Sequence, residues 1–246
     1  MMDVETIQAI ETHTLQAWHA LETHEYDRWL LRTSAGYTGR ANSINPMIGS
    51  TLPLDEKIAY CDEFYSERNL PVLYRLHDVV YPSNIDTRLA DLGYERYNET
   101  IVQTCDLRSF SSETDARFHY TTQLTDAWLD AFASMNSLNP EHKPIAKQML
   151  EQNPLTCCFA WVDDVAVGLG VYSEQYIALF DIVVHPDYRG KGLGKILVSN
   201  LMQWGKHQGA TTVYLQVVGT NTTAIGLYHK LGFSEHHRYW YRRKTS

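Results

Sequence analysis

Residues 176–207 constrain this chain more than any others. The apolar run Tyr176–Val184 reads as a strand, and Lys195–His207 repeats its apolar residues at helical spacing. Between them stands Arg189-Gly190-Lys191-Gly192-Leu193-Gly194. A strand that passes through glycines into a helix places the helix over a sheet and aims the helix's unpaired N–H groups and positive dipole end at the turn. Glycine lets backbone approach a ligand closely, and a phosphate or pyrophosphate is the natural occupant of such a turn. Arg189, Lys191 and Lys195 add positive charge around it.

Nucleotide patterns can be tested against that turn. A P-loop needs Ser or Thr after its lysine, but Ile196 follows Lys195 and the glycine spacing fails. The dinucleotide fingerprint needs G-x-G-x-x-G early in a βαβ unit, whereas here the glycines fall as G-x-G-x-G late in the chain. The pattern [Q/R]-x-x-G-x-[G/A] is met by Arg189, Gly192 and Gly194. Downstream, residues 221–233 read Asn-Thr-Thr-Ala-Ile-Gly-Leu-Tyr-His-Lys-Leu-Gly-Phe, or N-x-x-A-x-x-L-Y-x-x-x-G-F, with the β-branched strand Thr212–Val218 between the two motifs. Together, and in this order, the motifs resemble the acetyl-CoA-binding turn and the second signature of the GNAT N-acetyltransferase superfamily.

That resemblance implies a fold and a set of roles. The fold is an α/β mixed sheet of the acyl-CoA N-acyltransferase type, and the cosubstrate is acetyl-CoA. By resemblance, Gly190, Lys191, Gly192, Leu193, Gly194 and Lys195, with Arg189, hold the pyrophosphate. Ile182, Val183 and Val184 lie along the pantetheine, and Asn221 and Ala224 border the same arm. Tyr228 matches the tyrosine that protonates the departing thiolate, and a phenol of ordinary pKa near 10 carries its proton at neutral pH. As plain sequence, Ile182–Val184 is also a core strand, Asn221 a helix N-cap and Tyr228 a core tyrosine.

The base departs from the family pattern. Many members carry a glutamate where Gln216 stands, and an amide cannot take a proton. Asp181 sits in Phe180-Asp181-Ile182, where burial would raise its pKa. It is read as the base or as a structural acceptor, with Glu174, His185 and bulk water as alternatives. The implied reaction is direct acetyl transfer to a primary amine in a ternary complex. The rival readings are a non-catalytic acyl-CoA sensor and transfer of another acyl chain or to another acceptor. A small-molecule or peptide amine is the expected partner, met by the loops Ser137–Pro144, Glu174–Gln175 and Ser34–Gly49.

Composition narrows the classes further. A net charge of −8 argues against a general nucleic-acid binder. No apolar run reaches the ~18 residues of a membrane helix, and Met1–Glu5 lacks a basic signal-peptide start, so a cytoplasmic protein is expected. Cys61, Cys105, Cys157 and Cys158 lack metal or C-x-x-C spacing and read as reduced thiols. The histidines show no ligand spacing, and no metal is expected.

Along the chain, helices are predicted over Glu5–Leu21, Leu54–Arg68, Ser83–Leu92, Thr125–Met135 and Glu141–Glu151. Strands are predicted over Asp27–Thr33, Pro71–Leu76, Thr100–Leu107, Arg117–Thr121, Thr156–Val162, Val165–Ser173 and Ser234–Arg242. Leu92-Gly93-Tyr94 and Leu231-Gly232-Phe233 end similar helices and lead into strands, which points to two related units. The expected division is a degenerate GNAT-like unit at 1–110, a linker at 111–116 near the serine-rich Arg108–Asp115, and a catalytic unit at 117–246. The run Trp29-Leu30-Leu31-Arg32 through Ser43 resembles the front halves of some bacterial two-part GNAT proteins. The cofactor site should lie entirely in the second half, and a fragment of residues 112–246 should keep its affinity for CoA.

Overall fold

The computed structural model describes residues 4–244, so the reading made on Met1–Asp3 lies outside it. The first half runs α1 (Val4–Ala17), β1 (Glu22–Tyr26), β2 (Trp29–Thr33), β3 (Ile44–Asn45), α2 (Leu54–Ser66), β4 (Leu73–His77), α3 (Ile85–Asp91) and β5 (Tyr94–Asp106). The second runs β6 (Phe118–Thr121), α4 (Asp126–Met135), α5 (Lys143–Glu151), β7 (Thr156–Val162), β8 (Ala166–Ser173), β9 (Tyr176–Val184), α6 (Leu193–Gln208), β10 (Thr212–Val218), α7 (Thr222–Lys230) and β11 (Ser234–Lys244).

One sheet of 11 strands holds everything, in the order β1-β2-β3-β4-β11-β5-β10-β9-β8-β7-β6. Outward from the antiparallel β5–β11 pair, both sides read alike. Next comes an antiparallel neighbour, β4 or β10, then a parallel one, β3 or β9, then an antiparallel meander. The halves therefore exchange strands. β5, first-half by sequence, pairs β10 from Thr212↔Asp106 to Val218↔Thr100. β11, last in the chain, lies between β4 and β5. The stretch 111–116 is a chain connection and not a break in the hydrogen-bond ladder.

Helices cover both faces because strand residues alternate sides and both sides are apolar. One face gathers α1, α4 and α5 around Phe132, Phe159, Phe180, Tyr214 and Tyr239. The other gathers α6 and α7 over β7–β10, and α2 with α3 over Trp29, Tyr74 and Trp240. α6 buries Leu193, Leu197, Leu201 and Gly205, the i, i+4 stripe of a core-facing helix.

α1 is tied to the sheet by charge as well. Glu11 accepts from Arg75 and from His237 Nε2 at 2.7 Å, all three fully buried. Removing one member would strand the others and cost about 3–5 kcal/mol. His13 Nδ1 meets the Tyr214 hydroxyl at 2.8 Å, and burial lowers its pKa to about 4. Among the described residues no helix is long and apolar enough to cross a membrane, and no His, Cys, Asp or Glu cluster could hold a metal.

Candidate active site

The site begins where two parallel strands part. β9 and β10 pair from Tyr176↔Thr212 to Leu179↔Leu215 and no further. Beyond that point β10 continues along β5, with Gln216 opposite Val102 and Val218 opposite Thr100. β9 turns away, because it carries a bulge against β8. Val183 faces Val167 and Phe180 faces Leu169, so Asp181 and Ile182 share the single position opposite Gly168. Asp181 takes φ +52°, and a Cβ on Gly168 would come within 2.7 Å of Ile182 Cδ1. A bulge sharpens local twist and bends its strand. Here the result is an open wedge between Ile182–Val184 and β10.

A groove of about 1140 Å³ runs along the Ile182–Val184 side of that wedge, between the starts of α6 and α7. Its lining includes Ile182, Val183, Val184, Arg189, Gly190, Gly192, Leu193, Gly194, Lys195, Asn221, Ala224 and Tyr228, all expected from sequence, and every lining residue belongs to the second half. Lys191 stays at the rim, its ammonium 4.6 Å from the centre of the Tyr188 ring. Met135, Asn136 and Tyr188 also line the groove and carry no motif that marks them, while Ser137 opens one of the loops expected to meet the acceptor.

At one end the groove meets the N-terminus of α6. Gly190 and Gly192 have φ +76° and +80°, and a Cβ on either would face open space. Ile196 is the first residue of the helix whose N–H returns to a carbonyl, that of Gly192, at 3.1 Å. The preceding N–H groups have no intrahelical acceptor. No side chain caps this end and no acid lies in the first turn. Arg189 Nε donates to the Val184 carbonyl at 3.2 Å, which folds the arginine back over the strand exit. Such an arrangement could hold an anion on backbone N–H groups, with basic residues around it.

α7 forms the other wall. Asn221 Oδ1 accepts from Ala224 N at 3.1 Å, so the N-cap reading holds. Tyr228 is 8% exposed, with its ring 5.8 Å from that of Phe233. Burial pushes its phenol pKa up to about 12, so it keeps its proton through the neutral range. Among the described residues its hydroxyl has no hydrogen-bond partner.

The candidate bases separate clearly. Gln216 is locked, with Oε1 accepting from the Tyr239 hydroxyl at 3.1 Å and Nε2 donating to Thr14 Oγ1 at 3.3 Å. Glu174 sits at the opposite end of β9, about 20 Å along the strand from Asp181, so nearness in sequence misled there. The Glu174–Gln175 loop is likewise remote, and Gln175 O receives Thr211 N and Thr212 N. His185 caps the short turn Pro186–Tyr188, accepting from Asp187 N at 3.4 Å. Asp181 remains. It is half-buried, its Oδ2 is fully buried without a partner, and burial raises its pKa to about 6 against the opposing pull of Arg40. It lies on the bulge beside the groove but does not line it. Its neighbours Tyr37 and Arg40 come from the first half, out of the long polar loop after β2.

Comparison with known proteins completes the description. A family model described as "Probable histone acetyltransferase Rv0428c C-terminal" matches residues 5–242, across both halves. The "Uncharacterized N-acetyltransferase YobR" of Bacillus subtilis is 32% identical, over 95% of this chain and 98% of its own length. A GCN5-related N-acetyltransferase from Kribbella flavida superposes with TM-score 0.70 at 12% identity, covering 100% of this chain and 97% of that one. Another from Sphaerobacter thermophilus gives 0.64 at 19% identity, over 88% of this chain and 75% of that one. A split sheet, an uncapped helix terminus and a protonated tyrosine beside them thus occur in a chain whose full length follows one acetyltransferase family: it belongs to the GNAT N-acetyltransferase superfamily and is an acyltransferase.

Proposed function

We propose that this enzyme moves the acetyl group of acetyl-CoA to a primary amine by direct transfer, with both substrates bound together. The observation that carries the reading is the groove itself. One end is an anion-ready helix terminus suited to a pyrophosphate, the middle is the unpaired edge of Ile182–Val184, and the wall holds a protonated phenol. An extended pantetheine arm would find backbone partners on that edge, as an added strand does.

In this reading the amine nitrogen attacks the thioester carbonyl carbon and the carbon–sulfur bond breaks. The Tyr228 hydroxyl gives its proton to the leaving sulfur, and solvent restores it. The proton lost by the attacking nitrogen goes to Asp181 or to water. Binding both reactants in one cleft supplies most of the acceleration through effective concentration. Nucleic acid and membrane are not expected as partners, and the net charge of −8 favours a small cationic or zwitterionic acceptor over a polyanion.

The test is a panel of primary amines with acetyl-CoA, read by release of free CoA and run beside Tyr228→Phe. Amine-dependent CoA release that falls in the variant supports the reading. CoA binding without amine-dependent release from any acceptor would overturn it in favour of a sensor.

A further inference from the structure

Two opposite charges lie within electrostatic reach of each other near the bulge of β9 and do not pair. Arg40 lies on a short 3-10 turn, Gly39–Ala41, in the loop after β2. Its guanidinium sits 4.4 Å from the centre of the Trp18 ring and 5.3 Å from that of Phe180. Among the described residues this guanidinium donates no hydrogen bond and makes no ion pair. Asp181 is close enough to feel its charge, yet Oδ2 is buried and unpartnered. Tyr37, 6% exposed, lies within reach of the same carboxylate's charge.

The loop that carries Arg40 is braced. Asn42 Oδ1 accepts from Ser34 N at 2.7 Å and Gly36 N at 3.0 Å, while its amide nitrogen donates to the carbonyls of Tyr37 and Thr38. Arg32 Nη1 donates to the Arg40 carbonyl at 2.8 Å. Trp18 Nε1 donates to Thr38 Oγ1 at 3.1 Å. Stacking on Trp18 holds the guanidinium plane and leaves its edge N–H groups for a planar acceptor.

Charges removed from water are normally paired, since leaving them single is costly. A ligand that carries both signs a few ångströms apart would complete this site. We propose that the acyl acceptor is an α-amino acid, bound as its zwitterion with its carboxylate on Arg40 and its ammonium on Asp181. The first half of the chain thereby supplies the recognition element for chemistry done in the second. A polyamine would satisfy Asp181 but set a second cation against Arg40. A plain amine would leave the guanidinium unpaired. The assignment rests on the acetyl-transfer reading for its consequence, but not for its binding.

The experiment compares the protein L-α-amino acids with their decarboxylated amines and their α-amides, using full-length protein. Acetyl transfer is read by CoA release, and binding by calorimetry in the presence of CoA. A charge-assisted bidentate pair contributes about 1.5–3 kcal/mol, so the preferred amino acid should exceed its matched amine by about 10- to 100-fold in kcat/KM. Arg40→Gln should collapse that ratio, mainly through KM for the amino acid. Arg40→Lys should restore part of it. Equal melting curves and equal CoA affinity in the variants guard against a folding defect.

Amines and amides used as well as amino acids, or a ratio unmoved by Arg40→Gln, would overturn the assignment and leave acetyl transfer standing. Arg40-dependent binding of amino acids without any transfer would do the reverse.

Discussion

The turn from β3 to α2 and the turn from β9 to α6 occupy corresponding places in the two halves, and each brings a helix N-terminus to the mouth of a parallel strand pair. In the first half the protein fills that mouth itself. Asp27, from the β1–β2 hairpin, accepts from Thr51 N and Leu52 N, each at 2.9 Å, and from Thr51 Oγ1, with Lys57 Nζ 3.0 Å away. The hydrogen bond from Leu52 N, with those from Lys57 and Thr51, holds its carboxyl well below the usual range. Asp55 and Glu56 follow in the first turn of α2 and would repel a phosphate. In the second half Gly192 caps α6 with no side chain and no acid follows. The same local geometry becomes a structural joint where a side chain bonds the loop just ahead of the helix, and stays open where none does.

The broadest way to break this comparison is to separate the halves. Because β5 lies between β10 and β11, a fragment of residues 112–246 leaves β11 with neither of its sheet neighbours. We expect no cooperative melting and no CoA binding from it, contrary to what the position of the motifs alone implied. A soluble, melting fragment with full CoA affinity would show that the strand exchange is dispensable.

Next in size are exchanges of the two turns' character. Gly192→Asp gives α6 an anion of its own at a residue type that tolerates the left-handed region. CoA affinity should fall about 100-fold or more, with melting nearly unchanged, as measured by calorimetry and thermal scans. Asp27→Ala should do the opposite, lowering the melting temperature while CoA affinity stays within about twofold. If Asp27→Ala also weakened CoA binding, the two turns would be coupled rather than alternatives.

Tyr228→Phe should lower kcat by about 100-fold, the low end for general acid catalysis, because a thiolate is already a fair leaving group. KM for acetyl-CoA should barely move, since the ring still packs on Phe233. Steady-state kinetics on the best acceptor decide this, and an unchanged kcat would return Tyr228 to a packing role.

The smallest effect is a pH limb. Asp181 is useful as a carboxylate, and burial raises its pKa from 3.8 to about 6. kcat/KM should therefore decline about tenfold per unit as pH falls below that value, and Asp181→Asn should remove the limb. The stability effect has the opposite sense. A folded-state pKa above the unfolded one favours folding at low pH, and that contribution disappears as pH rises through about 6. Asp181→Asn should flatten the melting temperature across this window.

Much of this site was legible in the sequence because its parts are local. The glycine turn, Asn221 and Tyr228 fall within one α6–β10–α7 stretch, and apolar runs marked β7, β9 and β10 at the bounds observed. Polar or distant features were not legible. β1, Glu-Thr-His-Glu-Tyr, is an exposed edge strand with no apolar period and was not predicted, and the turn Asp27-Arg28 that joins it to β2 was drawn into the strand expected over Asp27–Thr33. β5 was drawn too short because its first residues alternate polar and half-buried. Arg40 stands well over a hundred residues before Asp181, and only the folded sheet brings them together. Nor does any periodicity announce that Asp27 reaches Thr51.

The place of β11 has a consequence for how the molecule is made. It pairs Ser234 with Thr104 and Lys244 with Tyr94, contacts that span roughly half the chain. Until Ser234–Lys244 leaves the ribosome, β4 and β5 wait with open edges. Such long-range closure is slow and leaves exposed strands vulnerable to the wrong partner. Neither half can mature alone during synthesis, because the sheet closes only once β11 has been made.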